Sequence, residues 1–204
     1  RATSSSKRKP NASDRRRRWI ILGSVILVIA LLRIFVFEGY RIASQSMEDS
    51  LLQGDVVLVE RLSFGNDWMP DLSTPDAGDV VVFRRPEDGG VMVKRCVAVA
   101  GQRVHISNKI LYVDGERAAD PARSKYLDAA IHKAGNGSRD QFGPYVVPPG
   151  HIFVLGDNRD ASLDSRFFGP VAAPLLIGRA IGVLWPAIST NSASRWSRLG
   201  DGVD

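Results

Sequence analysis

Short apolar runs, separated by Gly, Pro and Asp, dominate the chain from Gly39 onward and predict β-strands. Runs with the length and β-branched composition of strands lie at residues 55–61, 79–85, 91–99, 103–116, 151–155 and 176–185. Few segments have a helical pattern. We therefore predict a mainly β domain built on a coiled antiparallel, barrel-like sheet.

A longer apolar segment comes before these strands. Trp19–Leu32 carries no charge, and after Arg33 the apolar run resumes through Phe37, which gives 19 positions in all. A helix of about that length crosses ~30 Å of hydrocarbon, and Arg33 lies near one end, where its stem reaches the headgroups. A cleavable signal peptide is the alternative, but the following residues, FEGYRIAS, are bulky where a small-residue cleavage site would lie. We predict an uncleaved transmembrane helix at residues 19–37.

This helix divides the rest of the chain. Residues 1–18 are polar and basic, and we expect a disordered tail. Arg15–Arg18, directly before the apolar run, predict that this tail is cytoplasmic and that the strands lie on the outer face of the membrane. We expect an extracytoplasmic β domain at residues 38–186, with a loop or insertion at 117–150, and a flexible tail at 187–204.

The charge is distributed unevenly. The chain has a net charge of +5, but residues 1–18 carry eight Lys or Arg and one Asp, so the remainder has a net charge of −2. The basic character belongs to the tail, and nothing in the domain predicts nucleic-acid binding. The single cysteine, Cys96, excludes an intramolecular disulfide.

The stretch from Ala43 to Val59 is a loop of small hydroxyl residues that leads into a predicted strand. Ser44 and Ser46 are two positions apart, and the apolar Met47 follows directly. Such loops are commonly turns with locally bonded hydroxyls. A catalytic serine additionally needs a base.

Lys94 is the candidate for that base. It lies in the apolar run VMVKRCV, where its neighbour Arg95 must point to the opposite side of the strand, so one of the two cations faces the buried side. Burial disfavours a charged amine, and a neutral amine accepts a proton from a serine hydroxyl. Cys96 is an alternative nucleophile on the same side as Lys94, although a lone cysteine in a strand usually packs in the core.

The block GDNRDASLDSRFFG at residues 156–169 is dense in charged and polar side chains. The spacing of its oxygen-bearing side chains partly resembles a calcium loop: Asp157, Asp160, Ser162 and Asp164. Arg159 and Arg166, interleaved with them, fit an internal ion-pair network better. We therefore predict no metal site and no cofactor.

Four motifs follow the N-terminal apolar segment, in the order SxSM, GDxVVF, VKR and GDNRDxSxDSR. With this set of motifs, the chain resembles the bacterial type I signal peptidases, or leader peptidases, over about residues 19–186. The resemblance implies a signal-peptidase-like fold and a membrane-bound serine endopeptidase. Such an enzyme removes N-terminal signal peptides from exported preproteins after small residues (Ala-x-Ala). It implies a Ser/Lys dyad, with Ser46 as the nucleophile and Lys94 as the general base.

The resemblance also implies supporting roles. Ser44 would donate its hydroxyl to the oxyanion beside the Ser46 N–H, and Ser162 would orient the lysine amine. Four charged residues would hold their loop in place: Asp157, Arg159, Asp164 and Arg166. The small residues of the substrate need shallow apolar pockets, for which the candidates are Met47, Val91, Met92 and Val93.

The chain departs from the family pattern at four places. Asp49-Ser50 stands where Pro-Thr is usual, Ala43 where Pro is frequent, Ala161 where Asn is frequent, and Met92 where an aromatic residue is frequent. None of these changes removes a catalytic group.

Two rival functions remain open at the level of sequence. A serine hydrolase could instead use one of the histidines as its base: His105, His132 or His151. A non-enzymatic, membrane-anchored β binding module would explain the apolar segment and the strands, but not the motifs. The partners that we expect are secretory preproteins and membrane lipid, together with the export translocon, and not nucleic acid.

Overall fold

The structure is a computed structural model that describes residues 12–61, 64, 74–132, 139–187 and 196–203. The chain divides into two compact units, Arg1–Val36 and Phe37–Asp204.

The described part of the first unit contains one helix, α1 (Ala12–Phe35). Apolar side chains along it are exposed, from Trp19 to Leu31. The helix begins within the predicted disordered tail, since arginines are good helix formers and Asp14 in the first turn complements the helix dipole. It ends before Phe37, which already belongs to a strand. Within the described residues, no helix combines the length and the apolar character needed to span a membrane.

The described part of the second unit contains eleven strands, one short α-helix and three single-turn 3-10 helices. The strands are β1 (Phe37–Arg41), β2 (Val56–Glu60), β3 (Val80–Arg84), β4 (Val91–Val99), β5 (Arg103–Ser107), β6 (Ile110–Val113), β7 (Glu116–Arg117), β8 (Phe142–Val146), β9 (His151–Leu155), β10 (Val171–Ala172) and β11 (Leu176–Trp185). Helix α2 (Ser165–Phe168) lies between β9 and β10. Every run that the apolar pattern predicts contains at least one strand.

The strands form two antiparallel sheets. The larger one has the order β1-β2-β11-β3-β4-β9-β10, and the smaller one has the order β7-β6-β5-β8. The prediction of a mainly antiparallel β fold is confirmed. Among the described strands, the larger sheet is open, with β1 and β10 at its edges, rather than closed as a barrel.

Strand β8 lies within the range predicted as a loop or insertion, residues 117–150. Pro144 lowers the strand character of this sequence, but β8 is an edge strand that pairs only with β5, where a missing N–H is tolerated. Gly143 has a φ of 77°, and a Cβ atom there would lie 2.5 Å from the Val104 carbonyl oxygen. This position therefore requires glycine.

Within the range predicted as a flexible tail, residues 187–204, several of the described residues contact the domain. Val203 is buried in the apolar core. The fully buried carboxylate of Asp55 pairs with Arg198 at 2.9 Å and accepts the Ala187 N–H at 2.7 Å. A buried carboxylate needs such partners, and here the tail supplies them.

Strand β3 is buried on both sides, and this fixes the surroundings of its neighbour β4. On one side, Val82 packs in a cluster with Met47 and Leu51. On the other side, Val81 packs in a cluster with Cys96. A side chain that β4 directs inward is therefore removed from water.

Candidate active site

The turn that carries Ser46 joins β1 to β2. Hydrogen bonds from Ile42 N to Asp55 O and from Gly54 N to Ile42 O close its base, both at 2.8 Å. Met47 and Leu51 insert into the core, with 1% and 0% of their surfaces exposed. These two side chains hold the turn against the sheet, so Ser46 is buried although it lies in a loop.

The structure brings Ser44, Ser46 and Lys94 together. Lys94 lies opposite Val81 of β3, and its side chain is 1% exposed. Its Nζ atom is hydrogen-bonded to Ser46 Oγ. Ser44 Oγ lies 3.0 Å from Ser46 Oγ. Ser46 Oγ thus lies within hydrogen-bonding distance of both the Lys94 amine and the Ser44 hydroxyl.

The Lys94 amine is easier to deprotonate than a free lysine. Burial lowers its pKa from 10.5 to about 8, while the carboxylates of Asp164 and Asp157 partly oppose this shift. A substantial fraction of the amine is therefore neutral in mildly alkaline solution, and only the neutral amine can accept a proton.

Gly156 allows the block after β9 to approach the serine turn closely. A Cβ atom at this position would lie 2.6 Å from the Ser46 carbonyl oxygen and closer still to Ser162 Oγ. The Ser162 hydroxyl is buried and has no hydrogen-bond partner among the described residues. The role of Gly156 was not foreseen, although glycine at the end of a strand indicates a close backbone approach.

Asp157 connects three parts of the site. It accepts two hydrogen bonds from Arg95, at 3.0 and 2.8 Å, and one from Ser50 Oγ at 2.6 Å. Arg95 also donates to the carbonyl oxygens of Gly78 and Val203. The lysine strand, the serine turn and the C-terminal segment are therefore tied to one buried carboxylate. The contribution of Ser50 was not foreseen.

Asn158 holds the main chain of the serine turn. Its N–H donates to Ser46 O at 3.0 Å, and its Nδ2 donates to Gln45 O at 3.2 Å. This residue was also missed, since the first of these bonds uses a backbone donor that any residue but proline possesses.

The remaining charged residues of the block stabilise its own shape. Asp164 accepts from Arg166 Nε and Nη2, both at 2.8 Å, and from Gly156 N at 3.1 Å. Arg166 also donates to Arg159 O at 2.6 Å. The Arg159 guanidinium lies 3.4 Å from Asp120, outside the block. The arginines therefore neutralise the carboxylates that could otherwise bind a cation.

The four candidate pocket residues do not form a single surface. Met47 is a core residue, because the turn directs its side chain inward. Val91 is 47% exposed. Met92 and Val93 are half-buried and pack against different apolar clusters, as alternation along β4 requires.

The alternative bases and the alternative nucleophile have other partners. Each histidine ring is hydrogen-bonded elsewhere: His105 to the Phe142 carbonyl oxygen, His132 to the Asp128 carboxylate, and His151 to the Pro149 carbonyl oxygen. Cys96 is fully buried, and burial raises the pKa of its thiol to about 12. Such a thiol is not ionised near neutral pH, so it packs rather than reacts.

Several known proteins are similar to this chain over most of its length. Residues 16–185 match the family described as "Signal peptidase, peptidase S26". Signal peptidase I of Bacillus caldolyticus is 36% identical over 179 residues, which cover 84% of this chain and 92% of that protein. Probable signal peptidase I-1 of Synechocystis is 36% identical over 187 residues, covering 86% and 83%.

Among solved structures, a signal peptidase I from Enterococcus faecalis aligns with a TM-score of 0.41 and 29% identity, over 53% of this chain and 98% of that one. The sequence relationships alone span most of the chain and argue against a non-enzymatic binding module. The chain belongs to the peptidase S26 family of signal peptidases, serine endopeptidases that process signal peptides.

Proposed function

We propose that this enzyme cleaves its preprotein substrates with Ser46 as the nucleophile and Lys94 as the general base. The observation that carries the proposal is the hydrogen bond between the buried Lys94 amine and the Ser46 hydroxyl. The lowered pKa of Lys94 supports the same assignment, because it makes the neutral amine accessible.

The proposed reaction has two halves. Neutral Lys94 takes the Ser46 proton as Oγ attacks the scissile carbonyl carbon, and the Lys94 ammonium then protonates the departing amine of the mature protein. The signal peptide is left as an ester on Ser46. Lys94 next takes a proton from water, whose oxygen attacks the ester carbonyl, and returning that proton to Ser46 Oγ releases the signal peptide.

The oxyanion that forms in each half needs donors. The Ser46 N–H and the Ser44 hydroxyl are the proposed donors, and the position of Ser44 Oγ, 3.0 Å from Ser46 Oγ, supports this role. Ser162, which is buried and lies beside Ser46 across Gly156, is the proposed orienting group for the amine. Asp157, Asp164 and their arginine partners keep these elements in place.

We further propose that substrates carry small residues before the cleaved bond, in the pattern Ala-x-Ala. Met92 is the candidate contact for these residues. It lies two positions before Lys94, on the same side of β4, and is half-buried rather than fully enclosed.

We propose that the enzyme acts at the cytoplasmic membrane, with helix α1 as a single-pass anchor. The exposed apolar side chains from Trp19 to Leu31 support membrane contact, and Arg15–Arg18 support a cytoplasmic N-terminus. The catalytic unit would then meet preproteins on the outer face, near lipid and the export translocon. Protease added outside intact cells should digest the catalytic unit, and full protection would contradict this orientation.

The catalytic roles are tested with purified full-length protein and a precursor that carries an Ala-x-Ala site. We expect Ser46→Ala and Lys94→Ala to fold but to lose cleavage by at least ~10³-fold, as for other nucleophile and base deletions. Cys96→Ala is the control for an altered buried side chain near Lys94 and should cleave. Cleavage by either dyad variant at a tenth of the wild-type rate would overturn the assignment.

A further inference from the structure

The turn that carries Ser46 contains an unfavourable backbone conformation. Asp49 has a φ of 79°, in the left-handed region that residues other than glycine seldom adopt. A proline is excluded from this conformation, because its ring fixes φ near −65°. Other interactions must therefore hold the turn in place.

Lys125 contacts this turn from another part of the chain. Its Nζ lies 3.1 Å from Glu48 Oε2 and 3.2 Å from Asp49 Oδ2. Glu48 and Asp49 are the second and third residues after Ser46. One ammonium group therefore binds both acidic side chains that follow the nucleophile.

The backbone of Lys125 is itself fixed to the block that contacts Ser46. Its N–H donates to Asp157 O at 2.9 Å, and its carbonyl oxygen accepts the Arg159 N–H at 3.0 Å. Between these two bonds lies Asn158, whose N–H donates to Ser46 O. The block thus holds the serine turn by its main chain, and Lys125 holds the same turn by its side chains.

We propose that Lys125 is a positioning residue for the cleavage reaction, whose ammonium group binds Glu48 and Asp49 and so keeps Ser46 Oγ within reach of Lys94. The inference rests on the proposed role of Ser46. These ion pairs are partly exposed, since the side chains of Lys125 and Asp49 are 23% and 51% exposed. Such pairs add little to global stability, so the effect belongs in turnover rather than in unfolding.

The first test compares Lys125→Met with Arg123→Met. The control removes a cation from the same segment, where Arg123 pairs at 4.0 Å with Asp201 instead of with the serine turn. For Lys125→Met we expect kcat to fall roughly tenfold, with KM within about twofold of wild type, because a shift of ~1 Å in a reacting group can cost ~10²-fold. Lys125→Arg should recover most of kcat, and Arg123→Met should lose none.

A second variant removes the anions instead of the cation. Glu48→Gln combined with Asp49→Asn should lower kcat as Lys125→Met does, and adding Lys125→Met should cause no further loss, since all three changes break the same contacts. Salt near 1 M should lower kcat of the wild type toward that of Lys125→Met, because it screens partly exposed pairs. If Lys125→Met does not fold, the Glu48/Asp49 variant and the salt series decide the question.

Three results would overturn the proposal: a kcat for Lys125→Met within twofold of wild type, an equal loss in Arg123→Met, or additive losses in the triple variant. The proposed function fails separately. Full cleavage by Ser46→Ala would remove the nucleophile assignment, whereas an inactive Ser46→Ala together with an unimpaired Lys125→Met would remove only the role of Lys125.

Discussion

Lys94 and Arg95 are consecutive residues of β4, and both are buried, with 1% and 4% of their surfaces exposed. Arg95 forms an ion pair with Asp157 at 2.8 Å, whereas the Lys94 amine forms no ion pair within the described part of the chain. Arg95 is therefore held by a carboxylate partner, whereas burial lowers the pKa of the Lys94 amine. Two adjacent basic residues thus have different roles, one structural and one titratable.

The pH dependence of cleavage should report the pKa of Lys94. Because burial lowers this pKa to about 8, the rate should rise through a basic limb centred near pH 8 and stay high in more alkaline solution. A histidine base would already be active above about pH 6.5. Rates against pH for the wild type, His105→Ala, His132→Ala and His151→Ala provide the measurement. Loss of the limb in any histidine variant that still folds would contradict the Lys94 assignment.

The same lowered pKa affects stability. The folded chain binds the Lys94 proton below about pH 8, and the unfolded chain already binds it below ~10.4, so this group's contribution to stability is present above pH 10.4 and is lost as the pH falls to 8. Lys94→Met removes the titration. We expect the unfolding free energy of Lys94→Met minus that of wild type to be about 3 kcal/mol larger at pH 7 than at pH 11. Denaturant unfolding at both pH values measures this difference. An equal difference at both pH values would show that Lys94 titrates normally.

Lys94→Arg should be as inactive as Lys94→Ala, because a guanidinium remains protonated and cannot accept the serine proton. Lys109→Arg is the matched control, since Lys109 is also largely buried but forms an ion pair with Asp160 at 3.0 Å. The control should cleave the precursor. A tenth of the wild-type rate in Lys94→Arg would exclude Lys94 as the base.

Ser44→Ala should lower kcat by ~10²–10³ with little change in KM, the usual effect of deleting one oxyanion donor. Ser44 is exposed, so its replacement should not affect unfolding. Ser44→Thr keeps the hydroxyl and should retain much of the activity. Wild-type turnover in Ser44→Ala would mean that this hydroxyl serves only the turn.

Gly156→Ala should damage the site, because the added methyl group would press on the Ser46 carbonyl and on Ser162. We expect at least a tenfold loss of kcat/KM and a stability cost of about 1–3 kcal/mol, as for other overpacked positions. Gly23→Ala adds a methyl group in open space and is the control. Equal behaviour of the two variants would show that the block can move away from the serine turn at little cost.

The apolar pattern predicted the strands well because buried strands such as β3 need continuous apolar runs. The positions of Ser46 and Lys94 followed from short motifs that surround each residue. Met47 shows the limit of this reasoning. An apolar side chain beside a reactive serine can face the substrate or the core, and only the geometry of the turn decides between them.

The features missed from the sequence act mainly through backbone atoms or through distant pairs. Gly156 and the Asn158 N–H matter because of where their backbone atoms lie next to the serine turn. The type of amino acid at a position says little about such backbone contacts. The packing of Val203 and the pairing of Arg198 with Asp55 join a polar tail to residues that lie far away in the sequence. Helix α1 extends back to Ala12 because helix propensity continues where the apolar pattern stops.

The hydrogen bond from Arg95 to the Val203 carbonyl has a consequence for the maturation of the enzyme itself. Arg95 and Val203 are 108 positions apart, and Arg95 and Asp157 are 62 apart. In a chain that has not yet closed these long loops, Lys94 lies in water and has the pKa of a free lysine, ~10.4, so a far smaller fraction of its amine is neutral than in the folded enzyme. Cleavage activity should therefore appear late in refolding, together with the last long-range contacts. A nascent chain of this enzyme should not cleave the proteins around it.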